Sequence, residues 1–385
     1  YALTQVNPDV LNRIRKHLDA QSLMIQYLFY EDNLFLFAVT SDKLDYRTVK
    51  IDKKNLESRI TYLRDLLRIS FRFYPASVQS RIEGDPKWKS SYQETFLMPI
   101  AQVGNRLYGE LIAPLGDLLA GKTRLVVIPN QGLHYLPFAA LVISQEGDRT
   151  RYLVEDYEIL KQGSLTLLDF ARGGAVEEPV NVLAIGNADG TLPNAQEEAE
   201  RLKTVFATAN VLLRDQAAED VFKGLCSEKT ILHLATHAFL DPGDLDKCYI
   251  KLFPAWDKGE DGCLWRREVL DLTLDKVSLV TLSACETGIG EHRLQGDEVY
   301  GMEQSFVKAG AETVISTLWP VEDKATGLFM QTFYENLVKS LAESQGERRM
   351  SKLTSLRKAQ LTLLNDPQYF HPYFWAPFVM TGEAE

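Results

Sequence analysis

Cysteine is scarce in this sequence, and the four that occur are too far apart to form a C-x-x-C pair. They stand at Cys226, Cys248, Cys263 and Cys285 in a chain of 385 residues. This spacing speaks against a zinc ribbon and against a dense disulfide framework, because both need clustered cysteines. A reducing cytoplasm is therefore the expected compartment.

Long apolar runs and an excess of positive charge are missing as well. The longest apolar stretches, such as Leu125–Pro129 and Leu34–Val39, are far shorter than the roughly 20 residues that a membrane helix requires. A formal net charge of -11 argues against a phosphate-binding surface, which needs clustered Lys and Arg. No basic-then-apolar leader opens the chain, so no signal peptide is expected. We expect a soluble protein that binds neither a membrane nor nucleic acid directly.

Hydrophobic residues make up 45% of the sequence, which is enough for a large core. The length predicts two domains or two halves of one architecture. In the first half, Ser22–Tyr30 and Asn33–Thr40 predict a hairpin of strands. A helical pattern later runs from about residue 92 to 119, with a break expected near Pro99 or Pro114.

Glycine, acidic residues and proline are concentrated between Arg172 and Pro179, and we place the domain boundary there. The two predicted domains are residues 1–175 and 176–385. From Val180 onward, strand patterns alternate with helical ones, and an apolar strand from Tyr373 to Met380 is expected to close the chain. This alternation predicts an α/β fold with a mostly parallel sheet and helices on both faces, where active sites lie at the carboxyl ends of the strands.

Two of the predicted strands end in reactive residues. The strand that begins at Ile231 leads to His237, and the strand that begins at Leu279 leads to Cys285. If these strands are parallel neighbours, about 4.8 Å apart, the imidazole and the thiol face each other across one cleft. The imidazole then takes the thiol proton and later protonates a leaving amine, while the N–H groups of Cys285 and Ala238 stabilise the oxyanion. The pattern predicts a cysteine-protease dyad, whose chemistry needs no cofactor.

The sequence around these residues resembles the CHAT domain family of caspase-like peptidases, which are related to separases and metacaspases. The motifs that carry the resemblance are LHLATHA at 232–238, LSACETG at 282–288 and STLWPVED at 316–323, with further similarity at 127–141 and 371–378. The resemblance covers nearly the whole chain. It implies a His237–Cys285 dyad in a caspase-like catalytic domain, preceded by a degenerate protease-like half without catalytic function. One departure is Ala238, where many caspase relatives have glycine.

The resemblance also implies partners and a setting. Members are often attached to tetratricopeptide repeats, so such repeats upstream, or a separate regulatory partner, are expected to control the enzyme. A CRISPR effector is among the partners that the resemblance suggests, within bacterial immunity or programmed cell death. The substrate is expected to be a protein or peptide.

Substrate-binding residues are predicted just beyond the catalytic strands. Asp297 and Glu298 begin a helix, where carboxylates cap the helix N-terminus; alternatively, Asp297 lines the primary pocket and selects Lys or Arg, as acidic residues do in separases and metacaspases. Trp319 and Asp323 follow a later strand and are predicted to contact the substrate chain, although Asp323 equally suits a helix cap.

Several features have plainer interpretations. His233 and His237 are four residues apart, but the segment lacks the Glu of H-E-x-x-H and has the pattern of a strand, so His233 is predicted to be a core histidine and no metal is expected. His134 is expected to be structural. The acidic loop from Asp241 to Cys263 is either a substrate-selecting lid or a solvated excursion, with exposed positions expected for Cys248 and Cys263.

Two functions other than proteolysis are compatible with the sequence. One is a catalytically silent interaction or regulatory module of the same fold, which is disfavoured because both members of the dyad are present. The other is an acyl or peptidyl transferase that uses the same thiol with an amine acceptor.

Overall fold

The chain folds into two compact units, as seen in a computed structural model. The first unit comprises Tyr1–Phe170 and Leu363–Ala376, and the second comprises Ala171–Thr362 and Pro377–Glu385. The structure describes residues 15–16, 18–72, 91–147, 149–163, 179–241, 244–283, 297–343 and 352–384. The boundary predicted at residue 175 falls outside these ranges. The return of a short C-terminal segment to the first unit has no signal in the sequence pattern.

The described residues form β-strands in both units. In chain order they are β1 (Ser22–Tyr30), β2 (Asn33–Val39), β3 (Leu44–Lys50), β4 (Arg124–Ile128), β5 (Val142–Glu146), β6 (Arg149–Tyr152), β7 (Glu158–Lys161), β8 (Val182–Gly186), β9 (Asn210–Leu213), β10 (Ile231–Ala235), β11 (Ala238–Phe239), β12 (Tyr249–Lys251), β13 (Cys263–Trp265), β14 (Leu279–Leu282), β15 (Thr313–Thr317) and β16 (Phe378–Gly382).

The α-helices alternate with these strands, most regularly in the second unit. In chain order they are α1 (Lys53–Arg72), α2 (Met98–Leu111), α3 (Leu153–Asp156), α4 (Pro193–Val205), α5 (Glu219–Leu225), α6 (Arg266–Leu270), α7 (Asp297–Lys308), α8 (Asp323–Glu343), α9 (Lys352–Leu364) and α10 (Pro372–Trp375). Within the described part of the chain, none of these helices combines the length and apolar character that crossing a bilayer demands.

In the first unit, β1, β4 and β7 run parallel, and β2 and β3 continue from β1 as an antiparallel meander. The predicted hairpin is confirmed, since β1 and β2 pair from Met24 with Val39 to Tyr30 with Asn33. The turn between them contains Glu31 in the left-handed region, with φ of 51°. Two residues thus suffice to reverse the chain.

The helical pattern of residues 92–119 divides into three pieces. A π-helical turn at Gln93–Leu97 leads into α2, and a 3₁₀ segment at Ala113–Leu119 follows it. Pro99 lies in the first turn of α2, where a missing N–H costs no helical hydrogen bond. The helix instead ends at Leu111, and Pro114 stands in the first turn of the next segment. Of the two predicted positions for the break, Pro114 is the correct one.

In the second unit the strand order is β16-β15-β14-β10-β8-β9, and every neighbouring pair is parallel except β16 with β15. Every residue of β8, β10, β14 and β15 is buried, as expected for strands covered on both faces. The predicted α/β fold, with a mostly parallel sheet flanked by helices, is confirmed.

The closing segment differs from its prediction. A single strand was expected from Tyr373 to Met380, but the helical turn α10 occupies Pro372–Trp375 and β16 begins only at Phe378. The N–H of Tyr373 donates to Nδ1 of His371 at 3.1 Å, and Pro372 occupies the first helical position. A capping side chain followed by proline starts a helix, whatever the apolar content of the next residues.

The acidic segment after His237 is ordered around a small antiparallel sheet in the order β11-β12-β13. Cys248 is fully buried in it, and its Sγ accepts a hydrogen bond from the N–H of Asp241 at 3.3 Å. The expectation that Cys248 is exposed is therefore wrong, whereas Cys263 is half-buried. The short strands pair the segment with the backbone beside His237, so it is not merely a solvated excursion, and its role as a substrate-selecting lid stays a prediction.

Candidate active site

The candidate site lies where three buried parallel strands end. In register, Leu234 of β10 pairs with Leu282 of β14 on one side and with Ile185 of β8 on the other. These strands are buried throughout and mostly apolar, and the loops that follow them lie together at the carboxyl ends of the strands. His237 follows β10, and a loop of residues 187–192, here called the Asn187 loop, follows β8.

His237 is held at this edge by the Asn187 loop. Its Nε2 lies 2.8 Å from Oγ1 of Thr191 and 3.7 Å from Oδ2 of Asp189. Its Nδ1 is buried and makes no hydrogen bond with the described residues, although 25% of the side chain is exposed. One ring nitrogen is thus engaged by the protein, and the other has no hydrogen-bond partner among the described residues.

The Asn187 loop is ordered by its own hydrogen bonds. Asn187 has a left-handed backbone with φ of 52°, and its N–H donates to the carbonyl of Ala235 at 3.0 Å. Its Oδ1 accepts from the N–H of Leu192 at 2.6 Å, and its carbonyl accepts from the N–H of Gly190 at 3.1 Å. These bonds join the loop to the end of β10 and close it on itself.

Asp189 carries the negative charge of the site. Its Oδ1 accepts from the hydroxyl of Thr191 at 2.7 Å and from the Thr191 N–H at 3.0 Å. Burial opposes ionisation of the carboxyl, but these hydrogen bonds and the nearby imidazole outweigh it and hold the pKa of Asp189 below its ordinary value. At neutral pH the group is therefore a carboxylate, which can only accept hydrogen bonds.

Ala238, the predicted oxyanion donor, opens β11. The carbonyl of His237 accepts from the N–H of Lys251 at 2.8 Å, so the facing residues Ala238 and Ile250 form a pair without hydrogen bonds to each other. Alternate residues of a strand direct their N–H groups to opposite edges, and the Ala238 N–H therefore points away from β12. Its role as an oxyanion donor stays a prediction.

The other predicted site residues are described less fully. Cys285 lies within residues 284–296, outside the described residues. The backbones of Asp297 and Glu298 begin α7 and that of Asp323 begins α8, but their side chains are outside the description. Trp319 is 1% exposed, so its indole is packed in the core of this structure. Contact of these residues with a substrate stays a prediction.

Asp189 and Thr191 are the site residues that sequence reasoning missed. Thr191 precedes His237 by 46 positions, and only the parallel pairing of β8 with β10 brings them together. The available signal was the polar sequence Asn-Ala-Asp-Gly-Thr directly after a buried strand. The rule that active sites gather at carboxyl ends applies to β8 as much as to β10.

A buried polar network surrounds His233, on the strand that leads to His237. Nδ1 of His233 lies 3.1 Å from the hydroxyl of Tyr334, which in turn lies 2.8 Å from Oγ1 of Thr281. Nε2 of His233 lies 3.1 Å from Oε1 of Glu198, in a contact without hydrogen-bond alignment. His233 is fully buried, which confirms it as a core histidine. The network joins α4 and α8 to the two strands that lead to His237 and Cys285.

Removing the Tyr334 hydroxyl should destabilise this core. In Tyr334→Phe, both His233 and Thr281 lose their partner, and we expect the free energy of unfolding to fall by about 1–3 kcal/mol. Urea denaturation measures the change. The matched control is Tyr30→Phe, at a side chain that is 63% exposed, where a change within about 0.5 kcal/mol is expected. Equal effects at the two positions would contradict the network's role.

One cluster of carboxylates in the described chain has the spacing of a metal site. Glu219, Glu260 and Glu268 converge, but the ammonium of Lys223 lies among them at 2.8, 2.7 and 2.9 Å from their oxygens. Burial raises the pKa of Glu219 despite the lysine. The lysine supplies the positive charge that a metal would otherwise provide, so the cluster is a structural ion-pair network.

The sequence is similar to a known family and to known proteins. The profile of the CHAT domain matches residues 101–383. Tetratricopeptide repeat protein 28 of Homo sapiens is 24% identical over 333 residues, and its Mus musculus counterpart is 32% identical over 339. Each alignment covers 72% of this chain and only 13% of the relative, so the chain spans a small part of those proteins.

The fold also resembles a solved structure. A chain of the Saccharomyces cerevisiae separase–securin complex superposes with a TM-score of 0.58 at 10% identity. The match covers 97% of this chain and 30% of that one. At this level of identity the likeness concerns the fold alone.

Proposed function

The chain belongs to the CHAT domain family, and on that basis we propose that it is a cysteine endopeptidase with Cys285 as nucleophile and His237 as general base. The observation that carries the proposal is the state of His237. Its Nε2 is engaged by Thr191, while its buried Nδ1 has no hydrogen-bond partner among the described residues. A base needs a lone pair that no other group engages, on a ring that is positioned by its other nitrogen.

The strand register supports the pairing of these two residues. Leu234 and Leu282 are paired neighbours in parallel strands. In sequence, His237 follows Leu234 by three residues, and Cys285 follows Leu282 by three. A nucleophile and its base need to lie within hydrogen-bond reach, and equal distances from one pair of facing residues favour that.

The proposed reaction has two stages. First, Nδ1 of His237 takes the proton of the Cys285 thiol, and the thiolate attacks the substrate carbonyl to give a tetrahedral oxyanion, which the N–H groups of Ala238 and Cys285 stabilise. The imidazolium then protonates the leaving amine as the C–N bond breaks, which leaves a thioester. In the second stage Nδ1 takes a proton from water, the hydroxide attacks the thioester, and the proton returns to the departing thiolate.

A protein or peptide in extended conformation is the proposed substrate. Asp297 and Glu298, at the start of α7, and Asp323, at the start of α8, are proposed to line its site on the carboxyl side of the sheet. A carboxylate from Asp297 would select Lys or Arg before the scissile bond by charge complementarity. Trp319 would contribute apolar contact only if its buried indole became accessible.

Regulation by protein partners is part of the proposal. Its support is that the relatives are named tetratricopeptide repeat proteins and that the structural neighbour comes from a separase–securin complex. Attached repeats or a separate partner would hold the catalytic loops in or out of working geometry. In the first unit, parallel strands β1, β4 and β7 are compatible with a degenerate protease-like half.

Labelling with peptidyl acyloxymethyl ketones that carry arginine or norleucine next to the reactive carbon tests the proposal. We expect covalent labelling of the wild type with preference for arginine, no labelling of Cys285→Ala, and loss of the arginine preference in Asp297→Ala. Intact-mass spectrometry reads the adduct. Cys263→Ala, which removes a half-buried thiol of the same unit, is the matched control and should label like the wild type.

The outcomes separate the competing functions. Unchanged labelling in Cys285→Ala would refute the nucleophile. Failure of the wild type to label at all, alone and with a tetratricopeptide-containing longer chain, would favour the catalytically silent module instead. A retained arginine preference in Asp297→Ala would refute the pocket.

A further inference from the structure

We propose that Asp189 and Thr191 form a positioning relay that sets the tautomer of His237, with the proton on Nε2 and the lone pair on Nδ1. The inference rests on the proposed function, because it explains how His237 is prepared to act as a base. In this scheme neither residue contacts the nucleophile or the substrate. Both act through the imidazole.

The direction of the hydrogen bonds follows from donor and acceptor counting. A carboxylate has no proton to donate, so the hydrogen bond of 2.7 Å between Thr191 Oγ1 and Asp189 Oδ1 uses the hydroxyl proton. The hydroxyl has only one proton. At its 2.8 Å contact with His237 it must therefore accept, and Nε2 must donate.

The consequence for the ring is specific. A neutral imidazole has one N–H, so a proton held on Nε2 leaves Nδ1 as the acceptor. Nδ1 is the nitrogen that is buried without a hydrogen-bond partner in the described chain. Without the relay, the two tautomers compete, and the fraction with a free Nδ1 lone pair falls.

Asp189 has a second effect, through its charge. Its Oδ2 lies 3.7 Å from Nε2, too far for a direct hydrogen bond but near enough for electrostatic attraction. When His237 accepts the thiol proton, the imidazolium gains a nearby negative charge. The carboxylate persists to below the ordinary carboxyl range, because its pKa is lowered.

Hydrogen bonds within the Asn187 loop would by themselves describe only a turn. Asp189 accepts from both the N–H and the hydroxyl of Thr191, which is common at chain reversals. A turn alone does not explain why the same hydroxyl also contacts His237. The loop is anchored to the end of β10 by the hydrogen bond from Asn187 to Ala235. The anchoring holds the hydroxyl in register with the imidazole.

The tautomer can be measured directly on protein labelled with ¹⁵N-histidine. Long-range ¹H–¹⁵N correlation distinguishes the Nε2–H from the Nδ1–H form, and the His237 signals are those missing from His237→Ala. We expect Nε2–H in the wild type and in Thr191→Ser, which keeps the hydroxyl. Thr191→Val, of nearly the same shape, should give a mixture of tautomers, and so should Asp189→Ala, which frees the hydroxyl to donate.

Reactivity provides the second readout. Alkylation of Cys285 by the arginyl ketone should slow by about 10-fold in Thr191→Val, roughly the worth of one hydrogen bond, and recover in Thr191→Ser. Asp189→Ala serves the same comparison if Thr191→Val does not fold. A pure Nε2–H signal in both Thr191→Val and Asp189→Ala would overturn the relay.

The two proposals fail in distinguishable ways. If the tautomer changes as expected but Cys285 never reacts, the relay stands and the peptidase proposal fails. If Cys285 reacts in a manner that depends on His237 while the tautomer ignores Thr191 and Asp189, the relay fails and the peptidase proposal stands.

Discussion

Replacing His237 by alanine should slow the alkylation of Cys285 by a peptidyl acyloxymethyl ketone at neutral pH by about 100-fold or more. The reason is that general acid–base catalysis by a positioned side chain contributes about 10²–10⁴-fold. An unpaired cysteine is only a few per cent thiolate at neutral pH, whereas an adjacent imidazole supplies the deprotonated form. Pseudo-first-order kinetics, followed by intact-mass spectrometry, give the rate.

Chemical rescue separates loss of the base from damage to the fold. Free imidazole added to His237→Ala should restore part of the rate, because the truncated side chain leaves room beside Thr191. It should do nothing for Cys285→Ala. A rate in His237→Ala equal to that of the wild type would remove the general base from the account.

The largest effect on stability is expected from Trp319→Ala. The indole is 1% exposed and belongs to the largest fully buried side chains of the structure. Truncation of a buried Trp forfeits its transfer free energy and leaves a cavity, so the free energy of unfolding should fall by about 3–5 kcal/mol. Urea denaturation at constant m-value measures this loss.

Trp256→Ala is the matched control for that change. Its side chain is 71% exposed, and removal should alter the free energy of unfolding by no more than about 0.5 kcal/mol. The comparison also decides between two roles of Trp319. Unchanged stability in Trp319→Ala together with a raised KM for a peptide substrate would instead support the predicted substrate contact.

The sheet of the second unit was predictable because its strands are mostly apolar. The segment Val182–Gly186 is a continuous apolar run, and all of its residues are buried, since buried parallel strands carry little else but apolar side chains. The same physics placed His237 at a strand end. Reactive residues that follow such a run by a few positions are expected at the carboxyl ends of the strands.

Short elements escaped prediction for the opposite reason. Strands β11, β12 and β13 have two or three residues each, too few for alternation to show among the surrounding glycines and acids. At the C-terminus, apolar content suggested one strand, whereas the cap from His371 and the following Pro372 impose a helical turn first. Local capping outweighed the apolar pattern there.

The sequence predicted His237 as a residue of the candidate site, but it did not predict Asp189 and Thr191. His237 was found because it follows a strand and belongs to a recognised motif. Asp189 and Thr191 are ordinary loop residues whose significance depends on a contact across 46 positions. Only the parallel pairing of β8 with β10 creates that contact, and a sequence pattern does not reveal which strands become neighbours.

The most direct test of the account is a crystal structure of the protein with a peptide argininal. We expect a thiohemiacetal between the aldehyde carbon and Sγ of Cys285, with Nδ1 of His237 facing the sulfur and Nε2 still in contact with Thr191. An aldehyde bound at any other residue, or a His237 ring that presents Nε2 to the sulfur, would contradict it.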